Sequence, residues 1–323
     1  MCKSTRGRSC PPCDEEYTLD HPKNIAVLLL AHGSPDSVEQ VPEFLLRVTG
    51  GRSLPSPVVE EVKHRYALIG RSPLTELTLQ QGKILAGELR QPVYVGMRNW
   101  KPFIADAINT MVSDGIEHAV AICLAPQNSR TSVGLYRSAL SRNPGPPLGI
   151  DFVESWHDHP LLIKAFAEKL RAGWEPACRE AGTEKVPIIF TAHSVPERTI
   201  ADGDPYESQA KETAALVARE AALAAEDWMF AFQSQGMSGG AWLGPRVEDT
   251  ILALKAKGHR GVFLQPIGFL CDHVEVLYDI DIGFKQFAET EGMSIWRAQS
   301  LNDSPLLASA LADIARSRLG RGS

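Results

Sequence analysis

Apolar and polar positions along the chain fall into blocks that switch between two periods. Short unbroken apolar runs bounded by turn residues predict buried parallel strands, and stretches with apolar residues three and four apart predict helices packed over them. The first run, Ile25 to Pro35 (IAVLLLAHGSP), recurs as Val186 to Pro196 (VPIIFTAHSVP), each reaching Ala-His and then Ser and Pro. In the first half, Val38 to Val48, Val58 to Leu68, Leu74 to Leu89 and Pro102 to Asp114 read as helices, and Pro92 to Gly96 and Ala119 to Leu124 as strands. The second half repeats the alternation. Strand Leu148 to Val153 comes first, and the Ala-His strand and strands Trp228 to Phe232 and Gly261 to Leu264 follow, among helices Pro160 to Ala172, Glu207 to Ala225, Pro245 to Lys257, Asp272 to Glu289 and Pro305 to Leu319. Strands alternating with helices call for a mostly parallel α/β sheet covered on both faces. The repeat divides that sheet into two duplicated units facing a shared cleft, with His32 and His193 at the carboxyl edges where open α/β sheets gather their chemistry.

The sharpest internal break, Asn143-Pro144-Gly145-Pro146-Pro147, marks where the halves meet. The expected organisation is a polar head over residues 1–23, a first lobe over 24–155 and a second over 156–323, with the last helix free to pack back on the first lobe. A length of 323 residues suffices for two such lobes. Composition adds little, at 44% hydrophobic and 22% charged residues. The net charge of −6 and the absence of a long Lys/Arg run argue against a nucleic-acid surface. No apolar stretch approaches the roughly 20 residues that span a bilayer, and the chain reads as cytoplasmic and monomeric.

Six cysteines are present, and Cys2, Cys10 and Cys13 crowd into the head. Cys10-Pro-Pro-Cys13 has metal-ligand spacing but falls short of four ligands, so incidental thiols on a disordered tail are favoured over an iron–sulfur cluster. His193 taken alone reads better as a buried strand-end histidine bonded to backbone than as a ligand. Asp272 and Glu275, three residues apart, fit a helix capping box.

Ordered motifs then carry a specific resemblance. Thr191-Ala192-His193-Ser194-Val195-Pro196, Gly203-Asp204-Pro205-Tyr206, Gln233-Ser234-Gln235-Gly236 with Trp242-Leu243-Gly244-Pro245, and Asp272-His273-Val274-Glu275 through Asp279 resemble the ferrochelatase family. Gly33-Ser34-Pro35, Arg65-Tyr66, Ser72-Pro73-Leu74, Leu124-Ala125-Pro126, Ser132-Val133 before Tyr136, and Glu154-Ser155-Trp156 agree in order. The wording is similar to the soluble coproporphyrin III ferrochelatases of Gram-positive bacteria. The resemblance implies two Rossmann-like lobes, each with a four-stranded sheet, around a porphyrin cleft, and insertion of Fe(II) as substrate with no tightly bound cofactor. Porphyrin, ferrous iron and neighbouring haem-pathway enzymes are the implied partners.

By the same resemblance His193 and Glu275 are the metal-binding, catalytic pair; imidazole suits Fe(II) and accepts a proton near neutral pH. Asp279, four residues beyond Glu275, would share its helix face and line a metal or proton route. His32, Arg52, Arg65, Tyr66, Ser72 and Tyr136 match porphyrin-binding positions, guanidinium and hydroxyl donors being what propionates require. His32 stands where a tyrosine usually stands, either stacking on or bonding the macrocycle or touching the metal from the other face. Thr49 replaces an arginine and Asn99 a histidine, while Arg98 keeps a cationic side chain. Protoporphyrin IX, another metal with another tetrapyrrole, and a non-catalytic haem or metal carrier remain the rival readings.

Overall fold

The computed structural model describes residues 24–142, 148–235 and 240–319. The cysteine head and the Asn143–Pro147 break therefore lie outside the described residues. Eight strands are present: β1 (Ile25–Ala31), β2 (Val93–Met97), β3 (His118–Cys123), β4 (Gly149–Val153), β5 (Ile188–His193), β6 (Trp228–Gln233), β7 (Gly261–Pro266) and β8 (Ser294–Arg297). They form two parallel four-stranded sheets ordered β2-β1-β3-β4 and β6-β5-β7-β8. The order is the same in both, so the sequence repeat is a repeat of topology, with each Ala-His strand second in its sheet. Both faces are covered: Ala26, Leu28 and Leu30 of β1 enter one apolar cluster and Val27 and Leu29 another, as the two-residue strand period requires.

The helices are α1 (Val41–Val48), α2 (Ser56–Ile69), α3 (Leu74–Leu89), α4 (Ile104–Ser113), α5 (Val133–Ser141), α6 (Pro160–Ala181), α7 (Glu197–Ala201), α8 (Tyr206–Glu220), α9 (Val247–Ala256), α10 (Val274–Leu277), α11 (Lys285–Thr290) and α12 (Pro305–Leu319). One core runs through both lobes, joining Val27 and Ile122 of the first sheet to Phe190 and Phe263 of the second through Phe166 of α6 and Leu311 of α12. The closing helix α12 lies against α3 and α6, and Arg316 Nη2 donates to the Glu88 carbonyl at 3.0 Å. A separate small cluster of Val41, Phe44, Leu45, Tyr66 and Trp100 holds α1 and α2 as a cap beside the cleft.

Helix α6 runs on past Ala172 because Gly173 is a packing residue there, not a stop. A Cβ on it would lie 2.9 Å from Phe263 Cζ, so its bareness lets the helix approach β7. The single helix expected over Asp272–Glu289 is three pieces, α10, a π-helical turn over Asp279–Phe284, and α11. Ile282 N and Gly283 N both donate to Tyr278 O, which widens the turn. Among the described residues no helix is long and apolar enough to cross a membrane.

Candidate active site

The two lobes enclose a cavity of 650 Å³, within the roughly 300–1,000 Å³ of sites that hold a sizeable small molecule. Its wall is apolar where α1 and α2 contribute Phe44, Leu45, Val48, Val58 and Val62. Its polar groups arrive from strand ends and the broken helix, as His32, His193, Ser234, Glu275 and Asp279.

His32 and His193 occupy matching places, directly after β1 and at the last residue of β5. Each ring is oriented by the same local device. His32 Nδ1–H donates to the Gly33 carbonyl at 3.0 Å, and His193 Nδ1–H to the Ser194 carbonyl at 2.5 Å. Those bonds fix one tautomer, leaving Nε2 of each ring as the nitrogen with a lone pair. After His32 the chain turns sharply through Gly33 (φ 82°), where a Cβ would stand 2.8 Å from Trp100 Cβ.

The nitrogens then differ. Asn99 Nδ2 donates to His32 Nε2 at 3.0 Å and takes up its lone pair. No such partner faces His193 Nε2 among the described residues, and this ring lines the cavity with its lone pair open. Burial, with the nearby charge of Arg98, depresses the His32 pKa to about 4, so this imidazole is neutral at physiological pH.

Glu275 is held through its backbone. Thr191 Oγ1 donates to Gln233 Oε1 at 2.6 Å, and Gln233 Nε2 donates to the Glu275 carbonyl at 3.0 Å, tying α10 to β5 and β6. The side chain lies deep in the molecule, yet 40% of its surface faces the open cavity. Desolvation pushes its pKa up, but the charge that the neighbouring His193 and His273 carry when protonated, together with a hydrogen bond from His273, outweighs it and holds the carboxyl at about 2. His273 Nε2 stands 3.6 Å from its carboxylate, with Nδ1–H turned to the Cys271 carbonyl.

The capping-box expectation for Asp272 and Glu275 is corrected. The residue before α10 is His273, with no side-chain cap. Asp272 instead accepts from Ser300 Oγ and Asn302 Nδ2 and pairs with Arg297, because those partners are already gathered beside it. Glu275 is thus free of capping.

Asp279 lines the same cavity from the first residue of the π-helical turn that follows α10. Ser234 Oγ donates to it from just beyond β6, and Arg65 Nη1 stands 3.5 Å away. Desolvation raises its pKa, with Glu275 adding to the shift and Ser234 and Arg65 opposing it. Arg65 is shared with Glu61 at 2.9 Å and lies over the Tyr278 ring. Tyr66 reaches the cavity with its hydroxyl against Ser34 Oγ at 3.1 Å.

Arg52, Ser72 and Tyr136 are elsewhere. Arg52 sits on an exposed turn, its carbonyl taken by Thr49 Oγ1, which also bonds Leu45 O and so closes the end of α1. Ser72 is buried outside the cavity lining. Tyr136 lines a smaller chamber of 180 Å³ that adjoins the cavity. Gln233 and Ser234 were visible only as letters of a motif; their roles as brace and carboxylate donor depend on contacts with α10 and the π turn 42 and 45 residues away. Among the described residues no three His, Cys, Asp or Glu side chains are grouped to cage a metal ion. His193 and Glu275 are a pair, a geometry that can present a metal to another ligand set.

A protein-family model described as ferrochelatase matches residues 24–319. The chain is 56% identical over 310 residues to the ferrochelatase of Acidobacterium capsulatum, covering 92% of this chain and 95% of that protein. It is 36% identical to the coproporphyrin III ferrochelatase of a Geobacillus species, covering 92% and 98%. Among solved structures, the sirohydrochlorin chelatase SirB from Bacillus subtilis, in complex with cobalt, aligns with a TM-score of 0.52 at 10% identity, covering 93% of this chain and 97% of SirB, a likeness of fold.

Proposed function

The chain belongs to the ferrochelatase family, and from that premise we propose that it inserts ferrous iron into coproporphyrin III, with His193 and Glu275 acting on the metal and the pyrrole protons. Membership makes it a metal chelatase of haem biosynthesis. What carries the residue assignment is the asymmetry between two equivalent histidines. Asn99 closes Nε2 of His32, whereas Nε2 of His193 is open to the cavity that Glu275 also faces.

Insertion exchanges two pyrrole N–H protons for one Fe(II), so the site must carry a divalent cation in and two protons out. An ionised Glu275 supplies charge to a metal that is losing water, and the open imidazole supplies a borderline nitrogen ligand or a proton acceptor. Asp279, desolvated and bonded by Ser234, stands next along the same wall and is the group to which a proton passes. The apolar face of α1 and α2 takes the flat macrocycle, and the neutral His32 lines the same cavity with its ring 5.8 Å from that of Phe44.

The choice of coproporphyrin III rests on a cationic and hydroxyl rim, with Arg65, Tyr66 and Ser234 at the cavity. Of the basic residues between Arg47 and Arg71, only Arg65 lines it. Arg47 is bonded to Glu43 and Lys63 to Glu60. Anaerobic turnover with Fe(II), followed by porphyrin absorbance in one detergent, tests the reading. A higher kcat/KM for coproporphyrin III than for protoporphyrin IX is expected, and the reverse order removes that substrate. Binding without turnover would make the protein a carrier.

A further inference from the structure

Behind the main cavity lies the 180 Å³ chamber, and four residues line both: His32, Leu74, His273 and Glu275. They form a neck. The chamber is smaller than sites that enclose a whole small molecule, so it is sized for part of one. Arg98 lines it together with Ser132 and Tyr136, and none of these three lines the main cavity.

The guanidinium of Arg98 is half-sheltered, with its Nε wholly buried and without a hydrogen-bond partner. Among the described residues no carboxylate lies within ion-pair distance of it; its one ring contact is with Tyr136, 5.6 Å from the centroid. Burial lowers its pKa, with only the Tyr136 hydroxyl opposing. Every other arginine that meets the cleft is paired: Arg65 has Glu61 and Asp279. A partly buried charge with no counter-charge is costly, and replacing it by an apolar side chain would ordinarily stabilise the fold. Its geometry suits an anion that arrives with a ligand: a cation lining a small chamber that also carries the hydroxyl residues Ser132 and Tyr136 and adjoins the main cavity.

Resting on the reading that this site takes a porphyrin, we propose that Arg98 receives a substrate propionate on the edge of the macrocycle remote from Arg65. Arg65 lines the main cavity and Arg98 the chamber, with the four shared residues between them, so under this proposal they take carboxylates on different edges of the macrocycle. Protoporphyrin IX carries its two propionates on adjacent pyrroles. Coproporphyrin III carries one on each of four, and only such a molecule satisfies both cations at once. Arg98 is then a specificity-determining residue, and the rear chamber the place where the two porphyrins are told apart.

The test compares wild type with Arg98→Met and Arg98→Lys in full-length protein. It measures porphyrin Kd by fluorescence quenching and the melting temperature of each chain. For Arg98→Met the expected result is a Kd for coproporphyrin III raised ten-fold or more, a Kd for protoporphyrin IX within two-fold of wild type, and a melting temperature equal or higher. Arg98→Lys should recover part of the loss. Sodium propionate should compete with coproporphyrin III in wild type and not in Arg98→Met. Four outcomes overturn the proposal: an unchanged Kd for coproporphyrin III, an equal loss for both porphyrins, a lowered melting temperature with unchanged Kd, and propionate that leaves binding unaffected or tightens it, which marks a separate free-anion site. A wild-type protein that binds neither porphyrin fails the parent reading, and does so before any variant is made.

Discussion

His32 stores free energy that acid should release, and the amount follows from its surroundings. Burial and the Arg98 charge depress its pKa from 6.5 to about 4. As pH falls below 6.5 the unfolded chain takes up a proton that the native imidazole refuses. The associated stability is therefore complete above pH 6.5 and lost as pH falls through 4. A depression of about 2.5 units at ~1.36 kcal/mol per unit is worth about 3 kcal/mol. Urea unfolding of wild type and His32→Gln between pH 7 and pH 4 isolates the contribution, because most carboxylate titrations are common to both chains and cancel in the difference. The imidazole proton resonances of His32 give the midpoint directly. Asn99→Asp replaces the donor facing Nε2 with an acceptor, so it should move the midpoint upward by a unit or more. A wild-type midpoint at 6 or above, or a difference curve that is flat with pH, would refute the reasoning.

Other outcomes follow from the same contacts. His193→Ala should cut kcat at least ten-fold, a loss of ~1.4 kcal/mol or more in transition-state stabilisation, while porphyrin Kd stays within a few-fold; retained turnover removes His193 from the chemistry. Glu275→Gln preserves shape and, because no capping contact exists to lose, should leave the melting temperature nearly unchanged while turnover collapses. Gln233→Leu strands the Thr191 hydroxyl and the Glu275 carbonyl, so urea unfolding should show a loss of about 1–3 kcal/mol together with a fall in kcat larger than any change in KM. Gly33→Ala forces a side chain onto a left-handed backbone position 2.8 Å from Trp100 Cβ, and the unfolding midpoint should drop by the equivalent of about 2 kcal/mol or more.

Elements whose signals are local were legible in the sequence. Leu74–Leu89 and Pro305–Leu319 match their expected bounds because each begins at a proline boundary and keeps one apolar period to its end. The duplicated Ala-His strands were legible for the same reason, and they located both histidines. What escaped was non-local. Gly173 reads as a breaker until Phe263 is brought against it. The π turn after Tyr278 leaves no mark on periodicity, and α5 and β8 are too short and mixed to stand out. Asp272 looked like a cap because its partners lie 28 and 30 residues on. The difference between His32 and His193 depends on a contact across 67 residues, which no spacing rule reaches.

Both cleft histidines are aimed by a hydrogen bond to the very next carbonyl, so their aim does not depend on anything distant. The sheet edge therefore works as a socket whose outward nitrogen can be rewired by one neighbour while the frame stays put. A chain that doubled such a unit would begin with two equal faces, and a single side chain at the Asn99 position is enough to make one of them silent. On the proposed division of labour, in which cargo is handled from one lobe and merely contacted from the other, sidedness follows from the partner of one ring nitrogen and is open to reversal without rebuilding either sheet.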